Sequence, residues 1–378
     1  MSLRRALVVA SLFLFAFLIT NPGKSASSSG GLLVVANQKE HTVLLVDPEA
    51  RHELAKISVG VNGHEVAVSP DSRFAYVPIY GNSGVGRPGT DGATIDIIDL
   101  QQRKLAATMD LGKPLRPHQP MFGPDGLLYV SAELANAVDI IDLEQRKLAA
   151  TVDLGKPLRP HEPLFGPDGM LYVSAELAQA LDIVDPATRK IIAEVPTGQP
   201  ESHMFVLSKD GRRAYTSNVH VGTVSVLDIE NRKLITTIPV AKQIQRISIS
   251  PDGAYVFTHD QDAPRIAVID TRTNKVTNWI EIPDFAYASE PTPDGRFLLA
   301  VLPRANRTVV IDTKTLKVVK SFDVPQQPGE ILIRPDAAVA YITCMPAGKI
   351  AVLDLRAWQL QPAIDLTPGV DGMAWSAK

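Results

Sequence analysis

Cysteine is nearly absent. Cys344 is the single one in 378 residues, so no intrachain disulfide can form and zinc sites built from several thiolates are excluded. The fold must be held by its core. Charge of one sign is missing too: 38 Lys and Arg stand against 41 Asp and Glu, a net −3. With no basic stripe and no RNA-binding signature, nothing favours nucleic acid as a partner. The apolar run over residues 6–19 is shorter than the ~20 residues that span a bilayer. No His-Glu-x-x-His, Gly-x-Ser-x-Gly or phosphate-loop sequence occurs, so the common hydrolase and nucleotidase classes lack their usual groups. The 45% hydrophobic and 21% charged content is that of a soluble globular chain with a large core available.

Residues 1–30 differ in kind from the rest. Arg4 and Arg5 precede the apolar run, and Asn21-Pro22-Gly23 and the Ser-rich stretch 25–29 come after it, which is the layout of a secretory signal. The expectation is export to the periplasm or the exterior and cleavage. That leaves one domain over residues 31–378 with no membrane attachment and 35 basic against 41 acidic groups.

The strongest signal is a repeat. Turns related to Ser-Pro-Asp-Gly place aspartates at Asp71, Asp125, Asp168, Asp210, Asp252, Asp294 and Asp336, separated by 54, 43, 42, 42, 42 and 42 residues. In such turns Pro sets φ, Asp bonds its own backbone and Gly tolerates the conformation at the turn's last position. A second ladder of apolar runs ends at Asp47, Asp99, Asp142, Asp185, Asp228, Asp270, Asp312 and Asp354, which counts eight units. Four short strands per ~42 residues is the pattern of a β-propeller blade. The last strand, 371–376, has no partners after it, and the strands at 32–37, 42–47 and 54–59 have no leading one. The expectation is therefore an all-β, eight-bladed β-propeller closed by pairing of the C-terminal strand with the N-terminal blade, leaving no open edge at the seam.

Tyr76-Val-Pro, Tyr129-Val-Ser, Tyr172-Val-Ser and Tyr215-Thr-Ser-Asn resemble the YVTN-type β-propeller repeat, over residues 32–376. The family includes secreted bacterial proteins and is similar to the eight-bladed haem d1 domain of cytochrome-type nitrite reductases. Phe257-Thr-His, Leu299-Ala-Val and Tyr341-Ile-Thr-Cys depart from the pattern, and the WD dipeptide is missing.

Five residues before each turn the column reads His64, His118, His161, His203, Gln245, Tyr287, Gly329 and Asp371. Half of the eight histidines thus share one phase, at the mouth of the channel. Neutral imidazole is the commonest metal ligand, and adjacent blades could present three of them to zinc or copper. Alternatively each His caps its strand by bonding a loop carbonyl of the next blade. Because four blades cover half the ring, His118, His161 and His203 are expected to matter most.

Glu65 and Glu162 come directly after two of these histidines, and Glu133 and Glu176 lie in Ser-Ala-Glu-Leu after a second strand. They suit orientation of imidazoles or proton transfer, or interblade ion pairs with Arg116 and Arg159. About twelve extra residues fall between Ile79 and Gly92, and the segment that starts at Tyr80 reads as a rim element over the His64 side. The string over residues 84–89 matches a dinucleotide fingerprint, but a strand comes after it where a helix is required, so that reading fails.

The leading expectation is an exported propeller that binds a small ligand or divalent metal ion, zinc or copper, at a His-lined mouth, with lyase- or lactonase-like activity open. The alternatives are a protein-interaction scaffold without catalysis and a haem d1-like tetrapyrrole binder with an axial His.

Overall fold

The structure is a computed structural model describing residues 30–82, 88–155 and 159–377. The signal expected at residues 1–30, residue 30 excepted, and residues 84–87 of the fingerprint-like string lie outside the described residues. Among the described residues thirty-two strands, β1 to β32, make eight four-stranded sheets. No helix long and apolar enough to cross a membrane is found among the described residues.

Blade 5 shows how the sequence builds a unit. Its strands are β16 (Ser202–Leu207), β17 (Arg213–Asn218), β18 (Thr223–Asp228) and β19 (Lys233–Pro239), paired in that order. The two middle strands are almost wholly buried, because neighbouring blades cover both of their faces, and they carry nearly continuous apolar or small residues. The outermost strand alternates exposed and covered residues, since one face meets water. The turn between β16 and β17 is fastened by its own aspartate: Ser208 Oγ donates to Asp210 at 2.6 Å and the Arg212 N–H at 3.1 Å. Gly211 closes it at φ +69°, a left-handed conformation that Gly adopts without a Cβ penalty. In blades 3 and 4 the motif tyrosines reach the same aspartates, Tyr129 Oη to Asp125 at 2.7 Å and Tyr172 Oη to Asp168 at 2.8 Å.

Blades pack through apolar faces. Phe257, Ile266, Val268 and Ile280 of blade 6 lie against Leu298, Ala300, Val309 and Ile311 of blade 7 in one buried cluster. Each fully buried Val, Ile, Leu or Phe side chain contributes about 1.5–3 kcal/mol. Cys344 is buried in another such cluster, with its thiol pushed up to about 12 by burial, so it is an inert core residue.

The ring closes as expected. β32 (Val370–Ser376) pairs with β1 (Leu32–Asn37) through Leu32↔Ser376, Leu33↔Trp375, Val34↔Ala374 and Val35↔Met373, so the two termini share blade 1. The first strands of successive blades touch one another around the channel.

Candidate functional site

In a regular strand two consecutive side chains point to opposite faces, so His161 and Glu162 should not both face the channel. A β-bulge removes that restriction. In blade 4 the pairs Pro160↔Ala175 and Pro163↔Val173 leave one extra residue on the inner strand, and His161 and Glu162 sit between them. The same irregularity frames His118-Gln119 in blade 3, His203 in blade 5, Arg246 in blade 6, Gly329-Glu330 in blade 8 and Asp371-Gly372 in blade 1. Bulges re-aim side chains in this way next to binding sites.

A hydroxyl of the second strand clamps the bulges of blades 3, 4, 6 and 8. Ser131 Oγ accepts from the Gln119 N–H at 3.1 Å and donates to the His161 carbonyl at 3.0 Å, tying blade 3 to blade 4. Ser174 Oγ accepts from the Glu162 N–H and donates to the His203 carbonyl at 2.7 Å, tying blade 4 to blade 5. Thr258 Oγ1 donates to the Arg246 carbonyl, and Thr343 Oγ1 accepts from the Glu330 N–H. The serine of the Tyr-Val-Ser motif is thus a backbone clamp for the channel residues.

The result is a cavity of about 510 Å³ lined by His64, Glu65, His118, His161, Glu162, His203, Gln245, Arg246, Tyr287, Glu330 and Asp371, with Gln38, Gln119, Met204 and Met345. Every column position except Gly329 lines it. The imidazoles form a continuous arc: His64 to His118 is 5.1 Å between ring centres, His118 to His161 4.9 Å and His161 to His203 4.0 Å. Burial lowers all four from the ordinary imidazole range, His118 to about 3 and His203 to about 4, so they stand neutral at pH 7. The Nδ1 atoms of His118, His161 and His203 are buried and have no hydrogen-bond partner among the described residues. At His118 the imidazole bonds the His161 backbone of the next blade, the capping contact offered as the alternative. His64 differs, with Nδ1 3.3 Å from the Asn62 carbonyl of its own blade.

Two sets of donors converge within 4.8 Å: His64, Glu65 and His118, and His161, Glu176 and His203. Arg159 lies 3.0 Å from Glu176, and His203 Nε2 lies 3.7 Å from it. Arg116 lies 3.6 Å from Glu133, and His118 Nδ1 lies 3.8 Å from that carboxylate. Arg116 with Glu133 and Arg159 with Glu176 are contacts within one blade, while the charge of Arg159 also acts across blades on Glu133, as expected of an interblade pair. Direct contacts that cross blades run from His203 to Glu176 and from Tyr80 to Glu133. Burial raises Glu176 to about 7 and Glu65 to about 8, the latter helped by Glu330 and Asp371. Burial likewise raises Glu162 to about 7, although its carboxylate accepts the Phe205 N–H at 3.0 Å.

The insertion corrects the sequence reading at its base. β5 (Phe74–Gly81) and β6 (Asp91–Asp99) extend into it, pairing Gly81 with Asp91, and Tyr80 is 4% exposed. Tyr80 Oη donates to Glu133 at 2.7 Å, its ring meets the edges of His64 and His118, and Asp91 binds Arg116 at 2.8 Å. A Cβ on Gly92 would lie 1.6 Å from the Ile79 carbonyl, so only Gly permits this close pairing. Tyr80 and residues 91–92 belong to the packed wall behind the histidines, not to a detachable rim.

Residues 122–333, more than half of the chain, match the family model described as the cytochrome D1 heme domain. The chain belongs to this haem d1 domain family. A search of curated proteins returns no match. Among solved structures, dihydro-heme d1 dehydrogenase NirN in complex with DHE is similar at TM-score 0.75 and 17% identity, over 94% of this chain and 77% of that one. AztD from Citrobacter koseri is similar at 0.67 and 14%, over 91% and 97%. Hydrazine synthase of Kuenenia stuttgartiensis is similar at 0.57 and 16%, over 77% and 95%. At these identities the likeness establishes the eight-bladed fold.

Sequence reasoning missed Arg246 at the mouth of this haem d1 family member. The signal was available, since Arg246 holds the phase of Glu65, Glu162 and Glu330, one place after the column. Gln38 and Met345 enter from loops that carry no periodic mark.

Proposed function

We propose that this propeller binds a divalent metal ion of borderline character, zinc or copper, on the histidine arc of its channel mouth, in the periplasm or outside the cell. The observation that carries the reading is the convergence of His161, Glu176 and His203 within 4.8 Å, two imidazoles whose buried Nδ1 atoms have no hydrogen-bond partner among the described residues and a carboxylate 3.7 Å from His203 Nε2. A buried imidazole nitrogen without a partner costs desolvation energy that a metal ion would return. Two imidazoles and one carboxylate are a donor set for zinc or copper, and in a tetrahedron with ~2.1 Å bonds the donors stand roughly 3.4 Å apart. His161, Glu176 and His203 already lie within 4.8 Å, so side-chain rotations close the set and leave a fourth position open.

The family points to a second candidate, a tetrapyrrole, and the residues present do not fit it. An axial imidazole is available, but a haem carries carboxylate side chains that need cations. Here Glu65, Glu162, Glu330 and Asp371 line the cavity, and Arg246, Arg159 and Arg116 are each held by a carboxylate. The mouth is built for a cation.

The test is metal analysis with calorimetry and thermal shift on the wild type and on His161→Ala. The wild type should take up about one zinc or copper ion per chain and melt higher with it. His161→Ala should lose at least about 100-fold in affinity, more than loss of an outer partner of a metal ligand costs. No bound metal and no thermal shift would leave the histidines structural, and visible absorption by the purified protein would favour the tetrapyrrole.

A further inference from the structure

Glu65 of blade 2, Glu162 of blade 4, Glu330 of blade 8 and Asp371 of blade 1 form a carboxylate arc that overlaps the histidine half and would itself attract cations. Arg246 is the one cation among the described residues lining the cavity. Its guanidinium grips Glu330, two blades away, at 2.6 and 3.3 Å, donates to Tyr287 Oη of the intervening blade at 2.9 Å, and lies 4.5 Å from that ring's centre. It holds φ +48° within its bulge and is anchored by the Thr258 hydroxyl. Three successive blades thus fasten one positive charge among the channel carboxylates. Arg suits the role: its planar fork engages a carboxylate through two bonds, stacks on an aromatic face and cannot lose its charge.

We propose that Arg246 is the specificity-determining residue of the mouth, a cation supplied by the chain that fills the carboxylate arc, bars hard metal ions from it and confines metal binding to the imidazole arc. The confinement rests on the metal reading above; the filling of the carboxylate arc does not. Its electrostatic reach is consistent with this, since the positive charge of Arg246 lowers the proton affinity of Glu65, Glu162 and Asp371 and also of His161 and His203. Removing that charge leaves an oxygen-rich cluster of carboxylates of the kind that hard cations such as calcium occupy.

Calcium and zinc titrations of the wild type, Arg246→Met, Arg246→Lys and the double variant Arg246→Met/Glu330→Gln test this. The wild type and Arg246→Lys should show no calcium binding up to several millimolar. Arg246→Met should gain one calcium site with a Kd on the order of 0.1–1 mM, at least roughly a tenfold gain, and the added Glu330→Gln should weaken it again. A folded Arg246→Met that binds no calcium overturns the proposal, as does a wild type that binds calcium at the mouth. Should Arg246→Met not fold alone, recovery of folding with added calcium supports the proposal and failure to recover overturns it. A wild type that binds no zinc would remove the metal reading of the histidines and leave the calcium result at Arg246 standing, so the two failures are distinguishable.

Discussion

The two halves of the channel mouth share strand order and repeat period, yet they present opposite chemistry. Blades 2 to 5 offer His64, His118, His161 and His203, neutral imidazoles in a continuous arc. Blades 6 to 8 and blade 1 offer Gln245, Tyr287, Gly329 and Asp371, with Arg246 and Glu330 one place further on. The bulge and its hydroxyl clamp recur on both sides, as at Ser174 and Thr343. The propeller therefore supplies one or two side-chain positions per blade at the channel, and chemistry is chosen by what stands there.

The largest effect expected inside this comparison comes from Glu176, the carboxylate that sits with His161 and His203. Glu176→Gln keeps the shape and removes the charge, and it should weaken zinc by about 10- to 100-fold in calorimetry. The matching change across the channel, Glu330→Gln, should leave zinc within a few-fold, because Glu330 touches Arg246 and no imidazole. Equal losses in both variants would erase the distinction between the arcs.

The clamps come next. Ser174→Ala leaves the Glu162 N–H and the His203 carbonyl without their hydroxyl, at about 1–3 kcal/mol, and it loosens the backbone under two channel residues of the histidine arc. It should lower both the melting temperature and zinc affinity. Thr343→Val frees the Glu330 N–H and should lower the melting temperature alone.

Much of this was legible from spacing. The ~42-residue period, the eight aspartates of the second ladder and the orphan strand at the C-terminus specify eight blades and their closure, because each is a local turn or pattern repeated in phase. The histidine column was legible for the same reason. The partnership of His161 with Glu162 was not, since a bulge arises from how the inner strand meets its neighbour and has no mark in residue order. Arg246 reaching Glu330 two blades away is likewise a property of the closed ring. Tyr80 was misplaced because an insertion has no period to read: seven residues of its neighbourhood are Gly, Asn or Ser, which suggests an open loop, while the hairpin in fact extends into it.

The imidazoles and the channel carboxylates should also fail at opposite ends of the pH scale in the metal-free protein. His118 and His203 are held at about 3 and about 4 by burial, below the ~6.5 of an unfolded chain. Between those limits the unfolded state binds more protons, so stability falls as pH drops from ~6.5 toward 4. Glu65, Glu162 and Asp371 are held at about 8, 7 and 7 by burial, above their ordinary range. Here the folded state keeps protons that the unfolded state has released, so stability is full below about pH 4.5 for these groups and is lost as pH rises toward 8. Glu65→Gln should match the wild type at pH 4.5 and melt a few degrees higher at pH 8.5. A variant with unchanged melting at both pH values would show that Glu65 is well solvated.

The smallest effect expected is that of Tyr80→Phe, at the residue that joins the insertion to the histidine arc. Tyr80→Phe keeps the ring against His64 and His118 and removes one hydrogen bond to Glu133. Arg116 still lies 3.6 Å from that carboxylate, so the loss should be about 1 kcal/mol and read as a drop of a few degrees or less in melting temperature. Tyr80→Ala removes the ring as well, opens a cavity behind His64 and His118, and should cost about 3–5 kcal/mol by analogy with other buried aromatics. Zinc affinity at His161, Glu176 and His203 should respond little to Tyr80→Phe, because His118 stands between Tyr80 and that set. If Tyr80→Ala melts like the wild type, the insertion is a detachable rim after all, and the wall behind the histidines is made by blade 3 alone.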